Sequence, residues 1–187
     1  MGDSIVRWVG KKQSQLAGAG TVVWKGQSGA RIQDLYGMLD EYLWLHGHPH
    51  TLVIHIGTND VFKLSKRDLF GSIESLIVAI RSQIPATRLV WSDIIPRLLW
   101  YGELEPGAGE RVRRAANARA FRVCKETGGD NRVIRHEDIT QREHRLFRRD
   151  GIHLDKPGEA PFRRRLELAL QAFHTFNKAA LPIFPQI

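Results

Sequence analysis

Three separated stretches of the chain hold the side chains that serine-based acyl transfer needs. Ser4 lies three residues from the start of the sequence, while Asp150 and His153 lie close together near its end. A serine hydroxyl is a weak nucleophile at neutral pH, so it needs a base to accept its proton. We interpret Ser4 as the nucleophile, His153 as the base and Asp150 as the residue that orients the imidazole. These residues predict a hydrolase that uses a serine nucleophile.

Such a reaction also needs N–H donors for the oxyanion that forms on the substrate. The candidate donors are the backbone amides of Ser4 and Gly29 and the side-chain amide of Asn59. Gly26 competes with Gly29, but Gly29 is preferred because it lies beside a predicted helix start, where N–H groups point outward. Asn59 is a neutral donor, whereas a carboxylate there would repel the developing charge. Asp60 is interpreted as a structural residue that binds loop amides.

Each candidate also has a simpler interpretation. Ser4 could be an ordinary turn serine, and His153 could bond only to backbone. Asp150 could cap a turn, and Asn59 could stabilise its own loop.

Apolar periodicity indicates how these stretches are positioned, because strand-like and helix-like segments alternate along the chain. The predicted strands cover residues 21–24, 51–56, 88–95 and 132–135. The predicted helices cover residues 32–45, 69–84 and 112–123, with a last helix from about residue 161. Alternation of this kind predicts an α/β fold in which a parallel sheet lies between layers of helices. Active sites in such sheets form outside the carboxyl ends of the strands.

The composition fits one globular domain over residues 1–187. The sequence has a single cysteine, which fits a reducing compartment and predicts an intracellular, cytoplasmic location. The formal charge of +8 predicts attraction to anions such as nucleic acid, a membrane surface or acidic substrates. Solvated helix faces explain the same charge without any partner, and the oligomeric state is left open.

Other reactive side chains have simpler interpretations. The histidines within residues 46–50 fit a solvated loop, so no metal site is expected. His55 is expected to be a satisfied core histidine and Cys124 a structural residue. Trp100 and Tyr101 follow a strand and are candidates for lining an acyl pocket.

The sequence blocks resemble those of the SGNH (GDSL-type) hydrolase family. The blocks are Gly-Asp-Ser at residues 2–4, the glycine block at 27–30, Gly-Thr-Asn-Asp at 57–60 and Asp-Gly-Ile-His at 150–153. The resemblance implies a flavodoxin-like three-layer α/β/α sandwich and esterase, lipase or acetylhydrolase chemistry on a small-molecule or lipid ester, without a cofactor. The basic composition and residues 55–60 also resemble SGNH domains associated with vertebrate mobile elements.

The chain departs from this family pattern at its start. Family members carry an apolar strand immediately before the Gly-Asp-Ser block, whereas only Met1 precedes Gly2 here. We therefore expect a truncated first strand and a gap with unpaired backbone groups in the sheet. The neighbouring strands could close up, the strand could be supplied otherwise, or the chain could be part of a longer one. The alternative function is a catalytically impaired scaffold whose basic surface binds nucleic acid or another anionic partner.

Overall fold

The helices and strands alternate as the sequence predicts. The structure is a computed structural model, and it describes residues 1–10, 14–16, 20–128 and 132–179. The helices are α1 (Ser4–Val9), α2 (Asp34–His46), α3 (Lys66–Gln83), α4 (Ala108–Glu126) and α5 (Lys156–Ala179). The strands are β1 (Ser14–Leu16), β2 (Gly20–Val22), β3 (Thr51–Ile54), β4 (Arg88–Ser92) and β5 (Arg132–Ile134).

A parallel sheet of β3, β4 and β5 forms the centre of the fold. Thr51 is paired with Arg88 at the start of the β3–β4 ladder, and Ser92 with Ile134 at the end of the β4–β5 ladder. The central strand β4 is buried along nearly its whole length, which suits a strand covered on both faces.

Helices cover both faces of this sheet and complete the predicted three-layer α/β/α sandwich. One core cluster joins α2, α3 and α4 to β3 and β4. A second cluster joins α1 and α5 to β4 and β5 on the other face. Helix α3 has its apolar residues fully buried at helical spacing, namely Leu69, Ile73, Leu76, Ile77 and Ile80. Burial of each such side chain stabilises the fold by about 1.5–3 kcal/mol.

Three predicted helix starts were too late, those of α3, α4 and α5, and a local reason explains the first and the last. Helix α3 starts at Lys66 because the Ser65 hydroxyl caps it, accepting from the Asp68 amide at 3.1 Å. Helix α5 starts at Lys156, where the Asp155 carbonyl accepts the next amides along the helix, and Pro161 lies inside it. The sequence prediction had placed this start near residue 161, from the apolar positions that follow it.

The predicted strand at residues 21–24 was partly wrong. Residues 20–22 form β2, which pairs antiparallel with β1 rather than joining the parallel sheet. Further along this segment, a single residue does pair in parallel: Gly26 forms an isolated bridge to Gly2. The strands predicted at 51–56, 88–95 and 132–135 are present but end earlier, at Ile54, Ser92 and Ile134.

The first residues of the chain lie between the segment that contains Gly26 and the end of β3. Gly2 forms parallel bridges to Gly26 on one side and His55 on the other. Its amide donates to the Lys25 carbonyl at 2.9 Å, and its own carbonyl accepts from the Gln27 amide at 3.0 Å. The neighbouring segments have therefore not closed up at this level. A Cβ on residue 2 would lie 2.1 Å from the His55 carbonyl oxygen, so the close approach requires glycine.

Candidate active site

Ser4 lies at the carboxyl-end edge of the sheet, where the short paired segment turns into α1. Asp3 caps that helix, since its Oδ1 accepts from the Ile5 amide at 2.9 Å. Ser4 is the first residue of the helix and only 3% exposed. The apolar side of α1 anchors it, because Ile5, Val6 and Val9 are buried. The position of Ser4 is thus set by sheet pairing on one side and helix packing on the other.

Asp150 and His153 form one tight turn just before α5. The Asp150 Oδ1 accepts from the backbone amides of Ile152 at 2.8 Å and His153 at 2.9 Å. The second carboxylate oxygen, Oδ2, lies 2.8 Å from the His153 Nδ1. Asp150 therefore caps the turn with one oxygen and contacts the imidazole with the other.

The protonation of Asp150 determines the tautomer of the imidazole. Desolvation disfavours the Asp150 carboxylate, but hydrogen bonds from the His153 side chain and from the two backbone amides outweigh it and lower the Asp150 pKa to about 2. An ionised carboxylate only accepts hydrogen bonds, so Nδ1 of His153 carries the proton. In the neutral imidazole, Nε2 is then an acceptor, and it lies 3.1 Å from the Ser4 hydroxyl oxygen. Ser4 can donate its proton to His153.

Asn59 lies on the loop that follows β3, and both the nitrogen and the oxygen of its side-chain amide are hydrogen-bonded. Its Nδ2 donates to the Ala30 carbonyl at 3.0 Å, and its Oδ1 accepts from Nη2 of Arg97 at 3.0 Å. Because a carbonyl only accepts and a guanidinium only donates, these two partners fix which end of the amide is nitrogen. Among the described residues, the second Nδ2 hydrogen has no acceptor and can donate to another group.

Asp60 is structural, as the sequence predicts. Its side chain is 1% exposed and accepts from the Ile32 amide at 3.0 Å and from Nε of Arg31 at 3.1 Å. Burial raises its pKa, while the bonds from Ile32 and Arg31 partly offset that effect. These bonds hold the loop of residues 57–60 against the residues that precede α2.

Gly29 is placed less firmly than the other candidate donors. It has a left-handed backbone with φ of 73°, and a Cβ there would meet open space. The loop that carries it lies next to the start of the chain: the Gln27 amide donates to the Gly2 carbonyl at 3.0 Å, and Nη1 of Arg7 in α1 donates to the Ser28 hydroxyl at 2.8 Å. Its competitor Gly26 is used for packing, since a Cβ there would lie 2.2 Å from the Arg7 amide nitrogen.

Arg97 is a site residue that the sequence patterns did not indicate. It follows β4, is only 7% exposed, and lies over the Trp100 ring with 5.6 Å between the guanidinium carbon and the ring centroid. Desolvation lowers its pKa, but the charges of Asp3 and Asp150 oppose that shift. Arg97 therefore hydrogen-bonds Asn59 and lies within the electrostatic influence of Asp3 and Asp150. Its only sequence signal is a charged residue directly after a strand and Pro96.

A second serine–histidine cluster lies inside the core and cannot reach a substrate. The Ser92 hydroxyl oxygen is 3.1 Å from Nδ1 of His55 and 2.7 Å from Nε2 of His136. The His136 ring stacks on Phe162 with centroids 4.5 Å apart. Desolvation lowers the pKa of both histidines, so they are neutral in the folded protein. His55 is a core residue as predicted.

The remaining reactive residues take no part in this arrangement. Among the described residues, no group of histidine, cysteine and acidic side chains is arranged to hold a metal ion. Cys124 is buried, and burial raises its thiol pKa to about 12. Trp100 is 4% exposed and packs on Gly109, so it belongs to the core, while Tyr101 is largely exposed. Within the described part of the chain, no helix is both long enough and apolar enough to cross a bilayer.

The chain is similar to one family of lipases and acylhydrolases and to solved structures of lipases and esterases. The model of the GDSL-like lipase/acylhydrolase family matches residues 1–160. A GDSL-like lipase from Bacteroides thetaiotaomicron superposes with a TM-score of 0.69 at 17% identity, over 92% of this chain and 86% of that one. A carbohydrate esterase of family 3 from Talaromyces cellulolyticus gives 0.67 at 16% identity, over 94% and 96%. The psychrotrophic esterase EstA from a Pseudoalteromonas species gives 0.61 at 15%, over 79% and 75%.

The search of curated protein sequences finds no match to this chain. The structural likenesses, all at low identity, show the same fold.

Proposed function

The chain belongs to the GDSL-like lipase/acylhydrolase family of serine ester hydrolases, and on that premise we propose that Ser4, His153 and Asp150 are its catalytic triad. The substrate class we propose is a carboxylic ester, either an acyl or an acetyl ester. The observation that carries the proposal is the hydrogen-bonded series from the Ser4 hydroxyl through both ring nitrogens of His153 to Asp150. The narrower resemblance to SGNH domains of mobile elements stays a prediction, as do the cytoplasmic location and the single domain over 1–187.

The proposed reaction has two half-reactions. In the first, the Ser4 oxygen attacks the ester carbonyl carbon while Nε2 of His153 takes the hydroxyl proton. The tetrahedral intermediate collapses, the C–O bond to the alcohol breaks, and His153 returns the proton to the leaving oxygen. In the second, His153 takes a proton from water as the water oxygen attacks the acyl-Ser4 carbonyl, the acyl C–O bond to Ser4 breaks, and His153 returns the proton to the Ser4 oxygen as the acid leaves. Asp150 stays ionised and stabilises the His153 imidazolium in both half-reactions.

We assign the oxyanion donors to the backbone amides of Ser4 and Gly29 and to the free Nδ2 hydrogen of Asn59. Donors that are already oriented stabilise developing charge without reorganisation. The bonds from Asn59 to Ala30 and from Arg97 to Asn59 support this role for the side chain. For Gly29, support comes from its loop, which lies beside Gly2 and α1.

A fluorophosphonate probe combined with a series of p-nitrophenyl esters tests this function. We expect the probe to attach covalently at Ser4, detected by peptide mass spectrometry, and the shortest acyl esters to be hydrolysed. Ser4→Ala should abolish labelling and lower kcat by roughly 10⁴-fold or more. Ser82→Ala, on an exposed position of α3, is the matched control and should keep full activity. Folded protein that neither reacts with the probe nor cleaves any ester would refute the proposal.

A second candidate function, binding of an anionic partner, is favoured by one surface. Two adjoining open cavities of about 760 and 610 Å³ lie along α4 and β5. Both are lined by Phe121, Lys125 and Arg135, and the Arg135 guanidinium lies 5.8 Å from the Phe121 ring centroid. Cationic side chains beside an exposed aromatic ring suit a single-stranded nucleic acid.

Fluorescence anisotropy with a labelled single-stranded oligonucleotide tests this second function. Binding should weaken steeply as salt increases, and it should be lost in Lys125→Glu/Arg135→Glu while Ser4→Ala keeps it. Absence of binding at low salt would leave ester hydrolysis as the one function that these features support.

A further inference from the structure

The turn of residues 148–153 contacts α1 at two points. The first is the contact of 3.1 Å between Nε2 of His153 and the Ser4 hydroxyl oxygen. The second is a cation–π contact, because the guanidinium carbon of Arg148 lies 4.5 Å from the centroid of the Trp8 ring. The proposed proton transfer uses only the first contact. The second joins the same two segments of the chain without carrying a proton.

Both contacts lie on the same side of α1. Ser4 is the first residue of this helix, and Trp8 follows four positions later. Side chains at positions i and i+4 project from one face of a helix, about one turn apart. Ile5, Val6 and Val9 of α1 are buried, whereas Trp8 is 38% exposed. Residues other than Trp8 therefore supply the fully buried contacts of α1, so a smaller side chain at position 8 should leave the helix folded.

Arg148 also forms the base of the turn that carries His153. Its backbone amide donates to the His153 carbonyl at 2.8 Å, and its carbonyl accepts from the Gly151 amide at 2.9 Å. Its side chain folds back along the same turn, since Nε donates to the Leu154 carbonyl at 3.0 Å. Because these three hydrogen bonds connect Arg148 with the turn, a shift of its guanidinium also shifts the imidazole.

Helix α5 fixes the direction of the guanidinium. Nη2 of Arg148 donates to Oε1 of Glu159 at 3.3 Å, and the two side chains are 33% and 20% exposed. A guanidinium hydrogen-bonds in its own plane and stacks through its face. The bonds to Leu154 and Glu159 are therefore compatible with a stack on Trp8. A lysine ammonium has no such plane, so it cannot reproduce all three contacts.

The loop after β4 holds the other side of the turn. The Gly151 carbonyl accepts from the Leu98 amide at 2.8 Å and from the Leu99 amide at 3.1 Å. These bonds do not involve α1, so they remain when the contact with Trp8 is removed. Removal of that contact should therefore displace the imidazole from the Ser4 hydroxyl without unfolding the turn.

We propose that Arg148 is a positioning residue, whose stack on Trp8 sets the distance between the His153 imidazole and the nucleophile. This inference rests on the proposed triad of Ser4, His153 and Asp150. A base accepts a proton directly only within hydrogen-bond distance. A displacement of about 1 Å at a reacting group can lower a rate about 100-fold. Since the stack acts on this distance and not on the ester, its loss should lower kcat and leave KM nearly unchanged.

Steady-state kinetics of the full chain on p-nitrophenyl acetate tests the proposal. Trp8→Leu and Arg148→Met should each lower kcat about 10- to 100-fold, with KM changed by less than about twofold. The double variant should lose scarcely more activity than Arg148→Met alone, because both changes remove the same contact. Trp8→Phe keeps an aromatic face for the guanidinium and should restore most of kcat.

A matched control removes a cation–π pair elsewhere in the fold. The Lys66 ammonium lies 5.6 Å from the centroid of the Phe70 ring within α3. Phe70→Leu should therefore leave kcat unchanged, and circular dichroism checks that each variant is folded. Full kcat in both Trp8→Leu and Arg148→Met, additive losses in the double variant, or a loss confined to KM would each overturn the proposal.

A second measurement does not require an active enzyme. The Nδ1 proton of His153, bonded to Asp150, should give a resolved downfield resonance in the wild-type chain. In Trp8→Leu it should broaden, because a turn released from α1 exchanges this proton with water faster. An unchanged resonance in folded Trp8→Leu would overturn the proposal. A wild-type chain that cleaves no ester would instead refute the triad, and the resonance would still decide whether the stack holds His153 in place.

Discussion

Nε2 of His153 lies 3.1 Å from the Ser4 hydroxyl oxygen, although the two residues are 149 positions apart in the sequence. This contact joins the turn before α5 to the first residue of α1. It exists because both segments pack on the same edge of one parallel sheet. The proposed chemistry depends on it, and the predictions below address the residues that hold it in place.

Asp150→Asn should lower kcat by roughly 10²–10⁴-fold without unfolding the protein. The asparagine oxygen can still accept from the Ile152 and His153 amides, so the turn is kept. Its amide nitrogen, however, would face Nδ1 of His153 and favour the wrong tautomer. The measurement is kcat on p-nitrophenyl acetate, with circular dichroism as the check on folding. Asp138→Asn, which removes an exposed ion pair with Arg165, should leave kcat unchanged.

Asn59→Ala should lower kcat by roughly 10²–10³-fold, the usual effect of losing one oxyanion donor. Asn59→Asp should be at least as damaging, because it places a negative charge where negative charge develops. Steady-state kinetics of both variants tests the assignment. A donor role is contradicted if Asn59→Asp retains more activity than Asn59→Ala.

Arg97→Met should lower kcat about tenfold with little change in KM, because Arg97 positions Asn59 rather than contacting the ester. The double variant with Asn59→Ala should then lose scarcely more activity than Asn59→Ala alone, since both changes remove one function. A double-mutant cycle on kcat measures this coupling. Additive losses would show that Arg97 acts independently of Asn59.

The two buried histidines, His55 and His136, should cost the protein stability as the pH falls below about 6.5. Desolvation lowers the folded-state pKa of His55 and His136, whereas in the unfolded chain they bind protons near pH 6.5. The unfolded state therefore binds more protons below that pH, and each histidine costs up to about 1.4 kcal/mol of unfolding free energy per pH unit. Urea unfolding at pH 7.5, 6.5 and 5.5 measures the slope.

His136→Gln should reduce that slope, while His48→Gln, at an exposed loop position, should not. A slope that is unchanged in His136→Gln would assign the acid sensitivity to other groups. The lowered pKa of Asp150 acts in a separate window, because its contribution is complete above about pH 4 and is lost as the pH falls towards 2.

The layers of the fold and most of its site could be predicted from the sequence because they depend on local patterns. The spacing of Asp150 and His153 encodes a single turn, and the burial of α3 follows from its helical periodicity. Arg97 could not be found this way, since its role arises from a hydrogen bond to a residue 38 positions away. The antiparallel pairing of β2 with β1 was likewise missed, because both are only three residues long.

Contacts on either side of the Ser4–His153 pair join the two ends of the domain. The Arg148 guanidinium lies 4.5 Å from the Trp8 ring centroid, and Arg163 of α5 donates to the Val9 carbonyl. Forming these contacts closes a loop of nearly the whole described chain, whose entropic cost is large compared with that of local turns. We therefore expect nucleophile and base to meet late in folding, after the central strands have paired. Enzymatic activity would then report completion of the native topology rather than formation of secondary structure.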